Sequence, residues 1–311
     1  MKIVDLHADI GMHVLTQHRN GFQNVLRDSH LSKLQQGEII GVGMACFFEG
    51  HETMKDMIDM VTTLRSEIDD NSDTVHLVES AVFHDSKLNA IMTVEGMCPV
   101  ISDPEAQIDW LYEKGVRIGS LSWNDENALS TGVKGDPSRG LTELGKRTIT
   151  RMNEKHMIVD VSHASEKSFW DILSHSSQPI IATHSNARML CNVERNLSDQ
   201  QIKAIADQGG LIGLVAAKHF ISSNPENQTA NTLALHARHI ADISSVDAVA
   251  MGFDFMDFLE APFGNDSMAG DLENASQAQN LIRALLNNGF SPDEVEQIAS
   301  GNVLEFLRKN L

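Results

Sequence analysis

Histidine and carboxylate side chains stand where two short apolar runs of this sequence end. His7 and Asp9 close the run that opens the chain, and Glu95 closes a later run, just before a glycine. Residues two apart on a strand point to the same side, so His7 and Asp9 can hold one ion together. Imidazole nitrogen and carboxylate oxygen suit zinc. Each residue also has a structural interpretation: His7 as a buried histidine satisfied by a neighbouring aspartate, and Glu95 as a capping or salt-bridged carboxylate.

Two further histidines occupy equivalent positions on successive apolar runs. His163 closes the fifth run and His184 closes the sixth. One βα unit separates them, so adjacent parallel strands would present both rings at the same rim. A single histidine of this kind is more often structural, but two at equivalent positions favour a shared ligand role.

Asp254 follows the eighth apolar run. In a closed barrel the eighth strand lies beside the first, so Asp254 is expected next to His7 and Asp9. There it would be the base for an activated water. The five other residues could serve two metal ions about 3.5–4 Å apart, with the Glu95 carboxylate shared between them.

These side chains can meet only if the runs that carry them are parallel strands of one structure. Eight runs alternate with longer amphipathic stretches, and several are continuously apolar and β-branched, as helix-covered parallel strands are. The carboxyl ends of barrel strands lie on one face, where barrel active sites are built. The strands are predicted over residues 3–6, 39–48, 90–94, 116–121, 158–161, 179–182, 210–215 and 246–251.

Helical patterns separate most of these runs, and the alternation predicts a single (β/α)₈ TIM barrel over residues 1–311. A doubly wound open sheet is the alternative, but no glycine-rich phosphate loop follows the first run. Long loops are predicted over 124–141 and 253–270, both after strands. The helices are predicted over 52–69, 104–114, 142–156, 165–175, 198–208, 227–243, 271–288 and 294–309.

Composition excludes several classes of protein. Twenty-four basic residues against 43 acidic ones give a net charge of −19, which would repel nucleic acid and anionic membranes. The three isolated cysteines, Cys46, Cys98 and Cys191, argue against a disulfide framework and a thiolate zinc site. Neither a signal-peptide core nor an apolar run approaching the roughly 18 residues of a membrane span is present, so we expect a cytoplasmic protein.

Seven stretches of the sequence resemble the membrane dipeptidase (renal dipeptidase, peptidase M19) family, in its soluble bacterial form. They run in family order from residue 4 to about 255: VDLHAD, TVEG, LSWNDENAL, VDVSHAS, ATHSNAR, CNVERNLSD and MGFDF. The resemblance implies that His7 and Asp9 bind one zinc ion, Glu95 bridges, His163 and His184 bind a second, Asp254 moves protons, and Arg195 holds the substrate's terminal carboxylate. A guanidinium fork suits a carboxylate, although a surface ion pair is the structural alternative for Arg195.

Trp123 departs from the family pattern. Better-known members carry a histidine there, where it contacts the scissile carbonyl. An indole donates a single N–H and cannot act as imidazolium. Either Asn124 makes this contact in its place, or zinc polarises the carbonyl alone.

These features together predict a binuclear zinc dipeptidase that hydrolyses small dipeptides, L-Xaa-D-Xaa among them, with a metal-bridging hydroxide as nucleophile. Two alternatives stay open: another metal-dependent amide or ester hydrolase of the same barrel type, and a non-catalytic metal- or peptide-binding barrel. A small dipeptide is the expected partner, as substrate, and neither nucleic acid nor a membrane is expected. A homodimer is compatible with the sequence.

Overall fold

A computed structural model describes residues 1–260 and 264–311, and a parallel β-sheet forms its centre. The order of strands in the sheet is β6-β5-β4-β2-β1-β8-β7, and β3 pairs with β4 beside that path. All of these pairings are parallel. The strands are β1 (Ile3–Ala8), β2 (Ile39–Phe47), β3 (Val75–Leu77), β4 (Leu88–Glu95), β5 (Val116–Ser120), β6 (Ile158–Asp160), β7 (Ile212–Leu214) and β8 (Val249–Met251).

Helices follow the strands along the chain, and several begin at hydroxyl caps. The Thr53 side chain accepts from the Asp56 N–H at the start of α3, and Ser198 caps α7 in the same way. In the described part of the chain, none of the helices is both long and apolar enough to cross a bilayer. The helices are α1 (Ile10–Arg19), α2 (Ser32–Gln36), α3 (Met54–Asp70), α4 (Pro104–Glu113), α5 (Glu143–Glu154), α6 (Glu166–His175), α7 (Asp199–Asp207), α8 (Lys218–Ile221), α9 (Ala230–Ile243), α10 (Gln279–Asn287), α11 (Pro292–Glu296) and α12 (Asn302–Asn310).

The predicted alternation of parallel strands and helices is confirmed, with local corrections. Helices α1, α2 and α8 and strand β3 were not predicted, and the helix expected from residue 271 begins only at Gln279, after a 3₁₀ turn over Ala275–Gln277. The last predicted helix is divided into α11, a π-helical turn over Gln297–Gly301, and α12. The predicted loop over 253–270 lies partly outside the described residues.

The main correction concerns the sixth predicted strand, over residues 179–182. Among the described residues no strand is assigned between β6 and β7, so the assigned strands form an open parallel sheet and not the closed barrel expected from the sequence. The segment there makes single parallel bridges instead, from Ile181 to Asp160 and from Ala182 to Ile212. Pro179 is one reason why this segment pairs over so few residues, because proline has no N–H to donate to a neighbouring strand.

Two layers of apolar side chains surround the sheet. One lies between the strands and the outer helices. The other gathers side chains from successive strands, and α12 packs against it through Val303, Phe306 and Leu307. The strand residues in this second layer are Val4, Leu6, Ile91, Ile118, Ile158 and Ala250, and Ile181 and Leu211 lie with them. The packed layer leaves the opposite end of the sheet, where the strands have their carboxyl ends, free for polar side chains.

Candidate metal centre

The residues predicted to carry chemistry all lie at the carboxyl end of the sheet. His7 lies in β1 and Glu95 ends β4, while His163, His184 and Asp254 follow β6, the bridging segment and β8. The carboxyl ends of parallel strands face the same side, so side chains far apart in the sequence meet there. The structure brings all six predicted ligand and base residues into one cluster.

The ring of His7 lies among three carboxylates. Its Nε2 atom is 3.2 Å from Glu95 Oε2, 3.6 Å from Asp9 Oδ1 and 3.8 Å from Asp254 Oδ1. The His7 side chain is 2% exposed and that of Glu95 is 4% exposed. His7, Asp9 and Asp254 are one group whose ligand atoms lie close enough together to hold a cation, and His7, Glu95 and His184 are another.

The second oxygen of Glu95 faces two other histidines. Glu95 Oε1 is 2.9 Å from His163 Nε2 and 3.4 Å from His184 Nε2, and the two Nε2 atoms are 3.0 Å apart. One carboxylate therefore presents one oxygen to His7 and the other to the histidine pair. This division is what a carboxylate shared between two ions requires.

The donor atoms of the cluster fit a metal better than they fit one another. His7 Nε2 and Asp9 Oδ1 are buried and make no hydrogen bond to any described residue. His163 Nδ1 must donate to Asn124 Oδ1, 2.9 Å away, because that oxygen can only accept. The His163 Nε2 lone pair then points at His184 Nε2. Buried polar atoms are rarely left in this state unless a ligand completes them.

Burial and neighbouring charges set the protonation of the cluster. Burial lowers the pKa of His163 to about 4, and the Arg195 guanidinium adds to this, while Glu95 opposes it. Burial also holds the pKa of His184 well below its usual value. Both rings are therefore neutral near pH 7, which is the form that coordinates a metal.

The two central carboxyl groups have opposite shifts. Burial would raise the pKa of Glu95, but its interactions with His7, His163 and His184 outweigh this and hold that pKa well below its usual range. Burial holds the pKa of Asp254 well above its usual range, opposed by His7 and reinforced by Asp9 and Glu95. Carboxyl groups with shifts in opposite directions are common where one must remain charged and another must carry a proton.

Two residues of the cluster have left-handed backbone conformations. His163 has φ of 68° and Asp254 has φ of 58°. A residue other than glycine pays roughly 1–3 kcal/mol in such a region. The sharp change of direction after the strand turns both side chains into the cluster.

Arg195 lies beside the cluster, on a cavity of about 730 Å³ that also reaches Glu95 and Asp254. Its guanidinium donates to the carbonyl of His184 at 2.9 Å and to Ser185 Oγ at 3.1 Å. Its Nε atom makes no hydrogen bond to the described residues, although the side chain is buried. The cavity thus contains a fixed positive charge with donor capacity to spare.

Trp123 and Asn124 line the same cavity on the side of β5. The Trp123 ring centroid is 5.7 Å from that of His163 and 5.1 Å from that of Phe47, with the Phe47 and Trp123 rings in a T-shaped arrangement. Lys134 Nζ lies 5.8 Å from the centroid of the Trp123 ring. The indole therefore packs as part of the wall, while the Asn124 side chain is hydrogen-bonded to His163.

Buried polar residues behind the cluster escaped the sequence interpretation. Asp5 Oδ1 accepts from the backbone N–H groups of Phe253 at 2.9 Å and His7 at 3.3 Å, joining β1 to the chain that leads to Asp254. Burial raises the pKa of Asp5 to about 7, against the effect of these hydrogen bonds. An aspartate inside an apolar run, two residues before a histidine, was the feature that could have revealed it.

Comparison with known proteins agrees with this geometry. The model of the membrane dipeptidase family (peptidase family M19) matches residues 1–310. The chain belongs to this family. Membrane dipeptidases of family M19 are metallopeptidases, and the chain is accordingly a hydrolase with residue groups that could hold metal.

Individual relatives share only a minority of aligned residues with this chain. A protein of Klebsiella pneumoniae from the pqqA 5′ region is 35% identical over 206 residues, 63% of this chain and 73% of that protein. The dipeptidase tcpJ of Claviceps purpurea is 27% identical over 266 residues, 83% of this chain and 61% of that protein. The metallo peptidase from Rhodobacter sphaeroides, liganded with a phosphinate mimic of L-Ala-D-Ala, has a TM-score of 0.87 at 20% identity, covering 100% of this chain and 99% of that one. The last likeness shows that the membrane dipeptidase fold is shared.

Proposed function

We propose that this member of the membrane dipeptidase family hydrolyses free dipeptides with the help of two zinc ions. The observation that carries the proposal is the position of Glu95, whose two oxygens face His7 on one side and His163 with His184 on the other. A carboxylate with both oxygens committed to opposite ligand groups is the arrangement that a two-metal hydrolase needs.

His7 and Asp9 would hold one ion, His163 and His184 the other, and Glu95 both. The donor set supports zinc, because imidazole and carboxylate are common ligands of catalytic zinc. Bound zinc would supply Lewis acidity, which polarises the scissile carbonyl and makes water a nucleophile near neutral pH.

Asp254 is the residue proposed to move protons. Its side chain is 13% exposed, lies on the wall of the cavity and is 3.8 Å from His7. Its carboxylate would take a proton from the attacking water and pass it to the amine nitrogen as the peptide C–N bond breaks. A carboxyl group whose pKa is raised by burial can hold that proton between the two steps.

Arg195 is proposed to bind the terminal carboxylate of the substrate. The guanidinium is held on the cavity wall by His184 and Ser185, so it can bind an anion without losing much side-chain entropy. If Arg195 pairs with the terminal carboxylate inside this buried cavity, the substrate must end in a free carboxylate one residue beyond the cleaved bond. This requirement would restrict the enzyme to dipeptides.

Asn124 is proposed to use both the oxygen and the nitrogen of its side-chain amide. Its Oδ1 atom receives His163 Nδ1–H, which leaves the amide N–H₂ to donate toward the substrate carbonyl. Trp123 would then contribute an apolar wall and no proton. The ligand of the Rhodobacter sphaeroides protein supports L-Xaa-D-Xaa dipeptides as the substrates to test first.

We further propose that residues 1–311 form one catalytic (β/α)₈ barrel in the cytoplasm, closed through the segment at 180–182. In support, the N–H of Val161 donates to Ile181 and that of Ala182 to Leu211, both at 2.8 Å. The second apolar layer also includes Ile158 and Leu211, which precede and follow this segment along the chain, together with Ile181 of the segment itself. The three cysteines are free and buried, which suits a reducing compartment.

The test is hydrolysis of L-Ala-D-Ala by protein from which metal has been stripped, before and after zinc is added back. We expect no turnover without metal, and full turnover at two zinc ions per chain by elemental analysis. L-Ala-D-Ala amide should be cleaved poorly throughout. Full activity without metal would overturn the proposal. Zinc binding without dipeptide turnover would favour a non-catalytic role, or a different amide or ester substrate.

A further inference from the structure

A hydrogen-bonded chain runs from the ring of His184 to a buried carboxylate. Thr183 Oγ1 is 2.8 Å from His184 Nδ1 and 2.7 Å from Asp160 Oδ2. The other oxygen of Asp160 accepts from the N–H groups of Ser162 at 2.9 Å and Thr183 at 3.0 Å. All of these groups are buried.

The direction of this chain follows from which atoms can donate. An ionised carboxylate only accepts, so Thr183 must direct its single hydroxyl proton to Asp160. The hydroxyl oxygen can then only accept from His184, which places the ring proton on Nδ1. Nε2 is left with a bare lone pair facing Glu95 and His163.

We propose that Thr183 and Asp160 are positioning residues that fix His184 in this tautomer, ready to bind metal through Nε2. The inference rests on the proposed metal site and adds two residues to it, neither of which touches substrate. A carboxylate commonly fixes a ligand histidine directly. Here the hydroxyl of the residue that precedes the histidine relays its effect.

The backbone around Thr183 holds this relay, the hydrogen-bonded chain from His184 through Thr183 to Asp160, in place. A Cβ added at Gly213 would lie 1.9 Å from the Thr183 carbonyl oxygen, and one added at Gly252 would lie 1.8 Å from it. Only glycine permits such an approach from both sides. Because the side chain is β-branched, its hydroxyl then has few directions available.

The two histidines of the pair are thus oriented by different chemistry. His163 relies on the neutral amide of Asn124, whereas His184 relies on a charge transmitted through a hydroxyl. Removing an outer partner of a ligand histidine typically costs about 10–100-fold in metal affinity. The loss at His184 should come from its tautomer and should be visible before any metal binds.

The test compares Thr183→Val, which keeps the side-chain shape, with Thr183→Ser, which keeps the hydroxyl. The tautomer of His184 is measured by ¹⁵N NMR on histidine-labelled, metal-free protein, and zinc affinity by competition with a chelator. Wild type and Thr183→Ser should show an Nδ1-protonated ring. Thr183→Val should show mixed tautomers and bind zinc about 10–100-fold more weakly.

Asp160→Asn is the second variant, and it should reverse the relay. An amide N–H₂ facing Thr183 Oγ1 would donate to it, and the hydroxyl would then donate to His184 Nδ1. The ring should move to the Nε2-protonated tautomer, with a loss of zinc affinity at least as large as in Thr183→Val. Ser162→Ala is the control, because Ser162 Oγ contacts Thr183 Oγ1 at 3.3 Å and accepts from the backbone N–H of His184 at 3.2 Å but makes no hydrogen bond to the ring. It should leave the tautomer unchanged.

Two results would overturn the inference. One is an Nδ1-protonated His184 in both Thr183→Val and Asp160→Asn. The other is an equal loss of zinc affinity in Thr183→Val and Thr183→Ser, which would assign packing to Thr183. Failure of the metal site itself is distinguishable, because wild type would then bind no zinc while the metal-free tautomer could still be read.

Discussion

His184 and His236 are both almost completely buried, and they differ in what surrounds the second ring nitrogen. In His236, on α9, Nδ1 accepts from the Ala187 N–H at 3.1 Å and Nε2 donates to the Ile221 carbonyl at 2.9 Å. In His184, Nδ1 is bonded to Thr183, while Nε2 faces Glu95 and another imidazole. Burial alone therefore does not reveal a ligand. A structural histidine has partners for both nitrogens, and a ligand histidine is held by one and leaves the other for a cation.

Their acid–base behaviour is similar, but it has different consequences. Burial lowers the pKa of both rings, to about 4 in His236. At His184 the neutral ring can coordinate a metal. At His236 it preserves two backbone hydrogen bonds that tie α9 to the loop carrying Ala187 and to Ile221.

Replacing each histidine by alanine should give the largest contrast. His184→Ala should remove a zinc ligand, lower zinc content and reduce turnover on the order of a thousandfold, since metal polarisation contributes several kcal/mol. His236→Ala should keep zinc and turnover but lose roughly 2–4 kcal/mol of unfolding free energy, because two buried backbone groups lose their partner. Elemental analysis, kinetics and urea denaturation give the three quantities. Loss of zinc from folded His236→Ala would break the comparison.

Asp254→Asn separates metal binding from proton transfer within the cluster. The amide cannot take the proton of water, so we expect zinc content to stay at the wild-type level while kcat falls about 10²–10⁴-fold. Kinetics with L-Ala-D-Ala and elemental analysis on the same sample test this. A wild-type kcat would leave Asp254 with a structural role only.

Arg195→Ala should have a smaller effect that depends on the substrate. A charge-assisted pair is worth roughly 1.5–3 kcal/mol, or about ten- to a hundredfold in kcat/KM for free dipeptides. Amidated dipeptides lack the partner, so the same substitution should change their slow cleavage much less. Equal cleavage of free and amidated dipeptides by the wild-type enzyme would exclude the carboxylate-binding role.

His236 should also make the stability of the fold depend on pH. Its pKa is about 4 when folded and near 6.5 when unfolded, so the unfolded chain binds the proton more readily. The stabilisation is complete above pH 6.5 and is lost as pH falls toward 4, roughly 3 kcal/mol in all. His236→Gln keeps one donor and one acceptor but does not titrate. In denaturation series between pH 7 and 4, the variant should lose less stability than wild type, and parallel curves would contradict this.

The site could be predicted further from sequence than the relay behind it. His7, Glu95 and Asp254 were found because chemistry at strand ends is visible in the residue order, and parallel strands gather those ends. Thr183 was missed because the partner of its hydroxyl, Asp160, is 23 residues away and belongs to a different strand. A threonine beside a histidine has no pattern of its own, and only the fold gives it a role.

The fold shows the same limits in two places. Helix α1 was not predicted because Gly11 and two histidines, His13 and His18, interrupt its apolar pattern. The glycine is needed there, since an added Cβ would lie 2.6 Å from the carbonyl oxygen of Ala45. The segment at 179–182 was predicted as a full strand from its apolar residues, but its pairing consists of single bridges. Tertiary packing determined the structure of both segments, and a local sequence pattern gives no information about that packing.

The close approach of Gly213 and Gly252 to the carbonyl of Thr183 has a consequence for mutational surveys of this enzyme. Any side chain at either position would push the Thr183 backbone, and His184 with it, away from its partners. A survey scored by activity would find these two glycines as intolerant as the histidines, although they carry no reactive atom. Such a map would outline the catalytic centre and its backbone support as one region. Only separate scores for folding and for zinc content would divide them.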